Sequence, residues 1–86
     1  QLMEHLCYVL YSKKHQKIYI GYTSNLIGRF KSHNELGTKG FTIHYRPWVV
    51  VHLEFYKSKS EATTREKQLK SSRGRAWIHS EVLPNY

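Results

Sequence analysis

Aspartate is absent from this chain of 86 residues, and all six of its acidic residues are glutamate. So few carboxylates exclude a site that clamps two metal ions through several of them. At most one ion with sparse protein ligation can be built. Cysteine occurs once, as Cys7, which rules out an intrachain disulfide and a cysteine-rich zinc site. Cys7 lies in an apolar run and reads as a small core residue, and the setting it implies is reducing and cytoplasmic. No apolar stretch approaches the ~18 residues of a membrane span. The first residues lack the basic-then-apolar pattern of a signal peptide. There is no internal repeat, no low-complexity segment and no linker, so residues 1–86 are expected to form one domain.

What the chain has in excess is positive charge: 14 lysines and arginines and a formal charge of +8. That balance favours an acidic partner, either nucleic acid or an anionic membrane surface. No segment combines an amphipathic pattern with a bulky apolar face, which argues against the membrane. The expected partner is therefore nucleic acid, and no small-molecule cofactor is expected. Oligomeric state is left open.

The most informative stretch is Tyr19-Ile20-Gly21 together with the residues from Tyr22 to His33. The β-branched and aromatic run from Lys17 to Thr23 predicts a strand. Thr23, Ser24 and Asn25 are all residues that cap helix N-termini, so the strand should pass directly into a helix. That helix is expected from Leu26 to about Glu35, with Asn34 and Gly37 supplying the stop. Leu26 and Phe30 are four apart and form an apolar stripe; Arg29 and His33 are also four apart and share a second face. A cation and an imidazole then project side by side beyond a turn whose glycine lets something approach the backbone closely. Upstream, Leu6 to Tyr11 predicts a first strand, joined to the second through polar Ser12–Gln16 as an antiparallel hairpin. With the reversal centred on Lys13-Lys14, Tyr8 pairs with Tyr19. A turn two residues longer leaves the two tyrosines diagonal neighbours on one face. The paired phenols are either ordinary cross-strand packing or the lining of a site.

Thr38 to Pro47 reads as a loop. Its Lys39, Gly40, His44, Tyr45 and Arg46 suit contact with a nucleic-acid backbone or base as well as they suit a plain surface loop. Trp48 to Tyr56 predicts a third strand, apolar enough to be central and covered on both faces. His52 within it reads as a satisfied, partly buried residue rather than a ligand. Ser58 with Glu61 three positions later makes a capping box that opens a second helix, Glu61 to about Ser71. Gly74 is expected to interrupt it, and Arg75 to Leu83 to form a short third helix before Pro84. On the second helix Ala62, Glu66 and Leu69 fall at i, i+4 and i+7, the spacing of a core face. Glu66 therefore projects toward the sheet, where a carboxylate persists only if ion-paired or bound to metal. The alternatives are a salt bridge, with Arg29 as a candidate partner, or a metal ligand facing the two tyrosines across the sheet. The basic run from Lys57 to Arg75 includes Lys67, Lys70, Arg73 and Arg75. It is either a solvated face or a phosphate-binding rim.

Taken together these residues resemble the GIY-YIG nuclease domain, over roughly Leu6 to Lys70. Leu6-Cys7-Tyr8 stands where the family has Gly-Ile-Tyr, with the tyrosine retained, and Tyr19-Ile20-Gly21 is intact eleven positions later. Arg29 lies ten beyond Tyr19, where the family has its catalytic arginine, and His33 four further. Glu66 matches the metal-binding glutamate of the later helix. The family's downstream asparagine has no clear counterpart; Asn85 is the late candidate. The stand-alone single-domain members look closest. The resemblance implies an α/β (α+β) fold, a small three-stranded antiparallel sheet flanked by helices in the order β-β-α-β-α. It also implies metal-dependent phosphodiester hydrolysis, with DNA the foremost substrate and with catalytic Tyr8, Tyr19, Arg29, His33 and Glu66. Glu66 would hold one Mg²⁺ or Mn²⁺ ion, Arg29 would neutralise charge on the phosphorane, and Tyr8, Tyr19 or His33 would position or deprotonate the attacking water. Lys39, Arg46, Lys67, Lys70, Arg73 and Arg75 would bind nucleic acid. The second reading is a catalytically silent nucleic-acid-binding module that uses the same basic surface.

Overall fold

The computed structural model of the protein describes residues 4–31, 33–34 and 40–86. Strands β1 (His5–Ser12) and β2 (Lys17–Thr23) form a hairpin, and helix α1 (Leu26–Lys31) comes next. Strand β3 (Val49–Tyr56) returns to the sheet, and helices α2 (Lys59–Lys70) and α3 (Ser72–Trp77) come after it. A 3-10 turn over Phe41–Tyr45 precedes β3, and π and 3-10 turns carry the chain from Ile78 to Asn85. The sheet is three-stranded and antiparallel throughout, in the order β2-β1-β3. This is the expected α+β architecture.

One expectation changes. The central strand is β1, not β3. Leu6, Cys7, Tyr8, Val9 and Leu10 are all buried, because β1 has a strand on each side and is covered on both faces. On β3, Val49 and Phe55 are about half exposed. A short apolar run does not by itself tell a central strand from an edge strand, since pairing is non-local. Alternate β1 side chains go to opposite faces. Cys7 and Val9, with Ile20 and Val51, pack against Ala62 and Leu69 of α2 and against Ile78 and Val82. Leu6, Tyr8 and Leu10 pack with Trp48 on the other face, bordered by Leu26 and Phe30 of α1.

The hairpin register also settles between the two arrangements open in the sequence. The reversal takes the four residues 13–16 and closes on Gln16 at φ 54°. Tyr8 therefore pairs with Gly21 and Leu10 with Tyr19, so the two tyrosines are diagonal neighbours. The reversal centred on Lys13-Lys14 does not form. A two-residue hairpin turn needs positive φ at its central positions, and two lysines are poorly suited to it.

Helix ends obey their caps. The Asn25 side chain accepts from the Gly28 amide at 3.0 Å and starts α1 where expected. His33 and Asn34 continue with π-type winding; the expected stop at Glu35 and Gly37 lies outside the described residues. Ser58 accepts from the Glu61 amide, as the capping box predicts. The break after α2 falls at Ser71 rather than at Gly74, because the Ser71 hydroxyl accepts from the Gly74 amide and caps α3. Gly74 lies inside α3. A Cβ there would stand 2.2 Å from the Gln68 carbonyl oxygen, so glycine permits the tight corner.

Candidate active site

β1 supplies Tyr8, β2 supplies Tyr19, α1 supplies Arg29, and the turn after α1 supplies His33. Tyr8 is only 1% exposed. Its ring reaches across the sheet to β2, where Gly21 is its register partner. A Cβ on Gly21 would lie 2.6 Å from the Tyr8 hydroxyl oxygen. The group that approaches the glycine of Tyr19-Ile20-Gly21 is thus the phenol of Tyr8. The Tyr8 and Tyr19 ring centroids are 6.3 Å apart, and the Tyr19 ring lies 4.6 Å from the His33 imidazole.

A chain of polar groups runs through the site. The Arg29 guanidinium stands beside the phenols of Tyr8 and Tyr19 and favours the charged form of Tyr8. The Tyr8 hydroxyl is hydrogen-bonded to His33 Nε2, 3.0 Å away. A neutral imidazole accepting at Nε2 carries its proton on Nδ1, and that nitrogen donates to Thr42 Oγ1, also 3.0 Å away. The neutral form is the favoured one. Burial pushes the His33 pKa down, and the nearby Arg29 and Arg46 cations push it further. Burial pushes the Tyr8 pKa up. The Arg29 hydrogen bond pulls it back, but the charges of Tyr19 and Glu66 add to the rise.

Two features of this network carry no mark in the sequence. Thr42 is buried, holds His33 Nδ1, and accepts at its carbonyl from Trp48 Nε1 at 2.8 Å. Nothing in the chain points to it except that a histidine acting through one nitrogen needs a partner on the other. Arg46, expected on a nucleic-acid-facing loop, donates from Nε to the His33 carbonyl at 2.7 Å and so holds the backbone of the imidazole. Lys39 lies outside the described residues.

Glu66 comes from the other layer, on α2, and its negative charge is felt at Tyr8. Its side chain is 18% exposed, and Lys70, one turn on, pairs with it at 3.3 Å. The ion pair of Glu66 is thus made within α2, to this lysine rather than to Arg29. The basic run divides around α2 and α3. Lys67 and Arg73 line one cleft with Trp77, whereas Lys70 and Arg75 line another with Lys17 and Tyr19. Asn85 spends its side-chain amide on the Glu81 and Val82 carbonyls of its own turn.

The pattern of the GIY-YIG catalytic domain family matches residues 4–77. The chain belongs to the GIY-YIG family. It is similar to the UPF0213 protein of Staphylococcus haemolyticus, at 36% identity over 70 residues, which covers 81% of this chain and 84% of that protein. It is also similar to the UPF0213 protein of Natronomonas pharaonis, at 37% identity over 68 residues, 79% of each chain. Among solved structures it resembles the solution NMR structure of the UPF0213 protein of Bacillus halodurans. The TM-score is 0.53 and the identity 29%, with 88% of this chain and 82% of that chain covered.

GIY-YIG domains are nuclease-type domains that typically use a divalent metal. The donor set in this chain fits such an ion in one form only. Among the described residues no group of three or more His, Cys, Asp or Glu side chains could cage a metal. Glu66 is a single hard oxygen donor, partly open to solvent, and Mg²⁺ is commonly held by one or two carboxylates while it keeps several waters. Among the described residues no helix is long and apolar enough to cross a membrane.

Proposed function

We propose that this GIY-YIG chain is a divalent-metal-dependent endonuclease that hydrolyses phosphodiester bonds in DNA, with residues 1–86 acting as one catalytic domain. The observation that carries the reading is the Tyr8 hydroxyl, hydrogen-bonded to His33 Nε2 at 3.0 Å beside the Arg29 guanidinium. A phenol with a raised pKa is a poor base alone. Here its own proton has a destination. As water attacks phosphorus, the water proton passes to the Tyr8 oxygen and the Tyr8 proton passes to His33 Nε2. The new O–P bond forms, the ester P–O bond breaks, and the leaving oxygen takes a proton from solvent. His33, its basicity lowered by burial and then by Arg29 and Arg46, gives its proton up readily.

Arg29 has five N–H donors, and the two phenols leave some of them for the phosphate oxygens. Donors in a fixed fork stabilise the charge that develops on the phosphorane. Tyr19, with its ring 4.6 Å from the imidazole and its phenol beside Arg29, would keep both in place. Glu66 would hold the Mg²⁺ or Mn²⁺ ion, which when bound supplies charge neutralisation at the phosphate. Lys70 and Arg75, in the cleft that shares Tyr19 with the site, would draw the polyanion to it, and Lys67 and Arg73 would add to the general field.

Glu66→Gln tests the reading, with cleavage and melting temperature measured on the same variant. Gln keeps the volume and removes the charge that a hard cation needs. The Lys70–Glu66 pair is an i,i+4 pair with the lysine 46% exposed, so its loss costs only about 0.3–0.5 kcal/mol. The expected result is cleavage slower by about 10²-fold or more and a melting temperature within about 4 °C of the parent. DNA binding should be equal or tighter. A large fall in melting temperature with cleavage preserved per folded molecule would make Glu66 structural. A parent protein that binds DNA but never cuts it with Mg²⁺ or Mn²⁺ would leave the binding-module reading.

A further inference from the structure

Beside the candidate site a second concave surface gathers cations. Lys70 at the end of α2, Arg75 of α3, and His79 face Lys17, Ile18 and Tyr19 of β2 across a cleft of about 590 Å³. We propose that this cleft holds the phosphate backbone of a single nucleic-acid strand next to the bond that is cut. The proposal rests on the nuclease reading of the adjoining site.

Three observations carry it. First, the cleft and the site are continuous. Tyr19 belongs to both, and Lys70 lies in the cleft while its ammonium stands 3.3 Å from Glu66. Second, the lining is built for an anion. Lys17, Lys70 and Arg75 are permanent cations, and among the described residues no carboxylate lines the cleft. Arg75 is oriented by its Nε, which donates to the Lys70 carbonyl at 3.0 Å, and its remaining donors are available to a phosphate. Lys17 is steered by the Tyr45 ring, 5.4 Å from its ammonium. Third, β2 is an edge strand. Its outward amides can donate to phosphate oxygens, while the surrounding cations discourage the approach of another β-strand.

The shape and lining also set the kind of ligand. A cleft of about 590 Å³ along one edge strand takes one strand more readily than a duplex. The contacts offered are cations and backbone amides, with Tyr19 the one phenol among the described residues of the lining. The strand is therefore held by its phosphates and without regard to base sequence.

The test uses the intact protein and a fluorescein-labelled single-stranded DNA oligonucleotide of mixed sequence, in EDTA so that nothing is cut. Lys17→Gln and Arg75→Gln should each weaken binding about tenfold, and the double variant about a hundredfold. Lys59→Gln removes the same charge at the opposite end of α2 and should change binding by about twofold or less. Amide shifts in a ¹⁵N-labelled sample titrated with the oligonucleotide should centre on 16–20 and 70–79. Equal losses in Lys59→Gln and the cleft variants would overturn the proposal, because binding would then be diffuse charge. So would shifts of the β2 amides that track protein concentration without DNA, since the edge would then pair with a second copy. Cleavage by the parent is scored separately. A parent that never cuts but binds DNA in the cleft defeats the nuclease reading alone, and a parent that cuts while the cleft variants bind normally defeats the cleft alone.

Discussion

Tyr8 is the residue on which the proposed chemistry turns, because it is buried and yet hydrogen-bonded to the His33 imidazole. Burial keeps it a phenol at neutral pH, and His33 is the group that can relieve it of its proton. The pH dependence therefore belongs to His33. Its pKa is pushed below 6.5, first by burial and then by Arg29 and Arg46. The neutral imidazole is the form that accepts from Tyr8, so cleavage should fall along an acid limb whose midpoint lies below pH 6.5. Stability carries the same sign. A depressed folded pKa contributes stability that is present above the unfolded value of 6.5 and is lost as pH falls through the folded value. The check is a profile of kcat/KM against pH. An acid limb centred at or above pH 6.5 would exclude His33 as the acceptor, and His33→Gln should abolish the limb and slow cleavage by about 10²-fold. Much at this scale is legible in the sequence. Arg29 and His33 share a face because four positions is one helical turn, and Tyr19 lies just before a turn that the cap residues announce. The roles of Thr42 and Arg46 are not legible, because their contacts to His33 span 9 and 13 positions of loop with no periodicity to read.

At the scale of elements, β3, α2 and α3 are tied by a carboxylate that plays no part in the proposed chemistry. Burial alone would push the Glu54 pKa up, but hydrogen bonds from Arg65, His52 and Tyr56 hold it down at about 2. Arg65 also stands over the Trp77 ring, and His52 meets the edge of that ring, so one cluster joins all three elements. The Glu54 side chain is 20% exposed. A fall from 4.5 to about 2 corresponds to ~3 kcal/mol of stability at neutral pH. That stability is present above pH 4.5 and lost as pH falls through about 2. Glu54→Gln should therefore lower stability by about 2–3 kcal/mol, since Gln keeps an acceptor but not the charge. Chemical denaturation at pH 7 measures it. Cleavage per folded molecule should not change, and a change would mean that the cluster also shapes the site. His52 reads in the sequence as satisfied rather than ligating, and Glu54 is what satisfies it at 2.7 Å. Glu54 itself gives no such sign, because a single polar residue between apolar ones in a strand looks solvent-facing. The same blindness to pairing hides the order of the strands, although each strand can be located from its own residues.

At the scale of the whole molecule, charge decides how nucleic acid is met. The formal charge is +8, and the sequence carries no base-reading motif. The cations that would touch a bound strand are Arg29 at the candidate site and Lys17, Lys70 and Arg75 in the cleft beside it. Each contact to a single-stranded phosphate releases counterions and contributes about −0.7 to the slope of log affinity against log salt. Four such contacts predict a slope of about −3, so that affinity falls roughly 50-fold between 50 and 200 mM salt. Remote lysines add to the field that attracts the strand but release few ions, because the Debye length at these salt concentrations is only about 10 Å. Affinity at physiological salt should lie in the non-specific range, about 10⁻⁴ to 10⁻⁶ M, and should be the same for oligonucleotides of different sequence. Anisotropy titrations at several salt concentrations in EDTA give the slope directly. A flat response would mean that binding is not made through phosphates, and a strong sequence preference would require base contacts that the cleft does not offer. A slope that falls by about 0.7 for each cleft cation removed, and not at all for Lys59→Gln, would tie the molecule's net charge to four particular side chains.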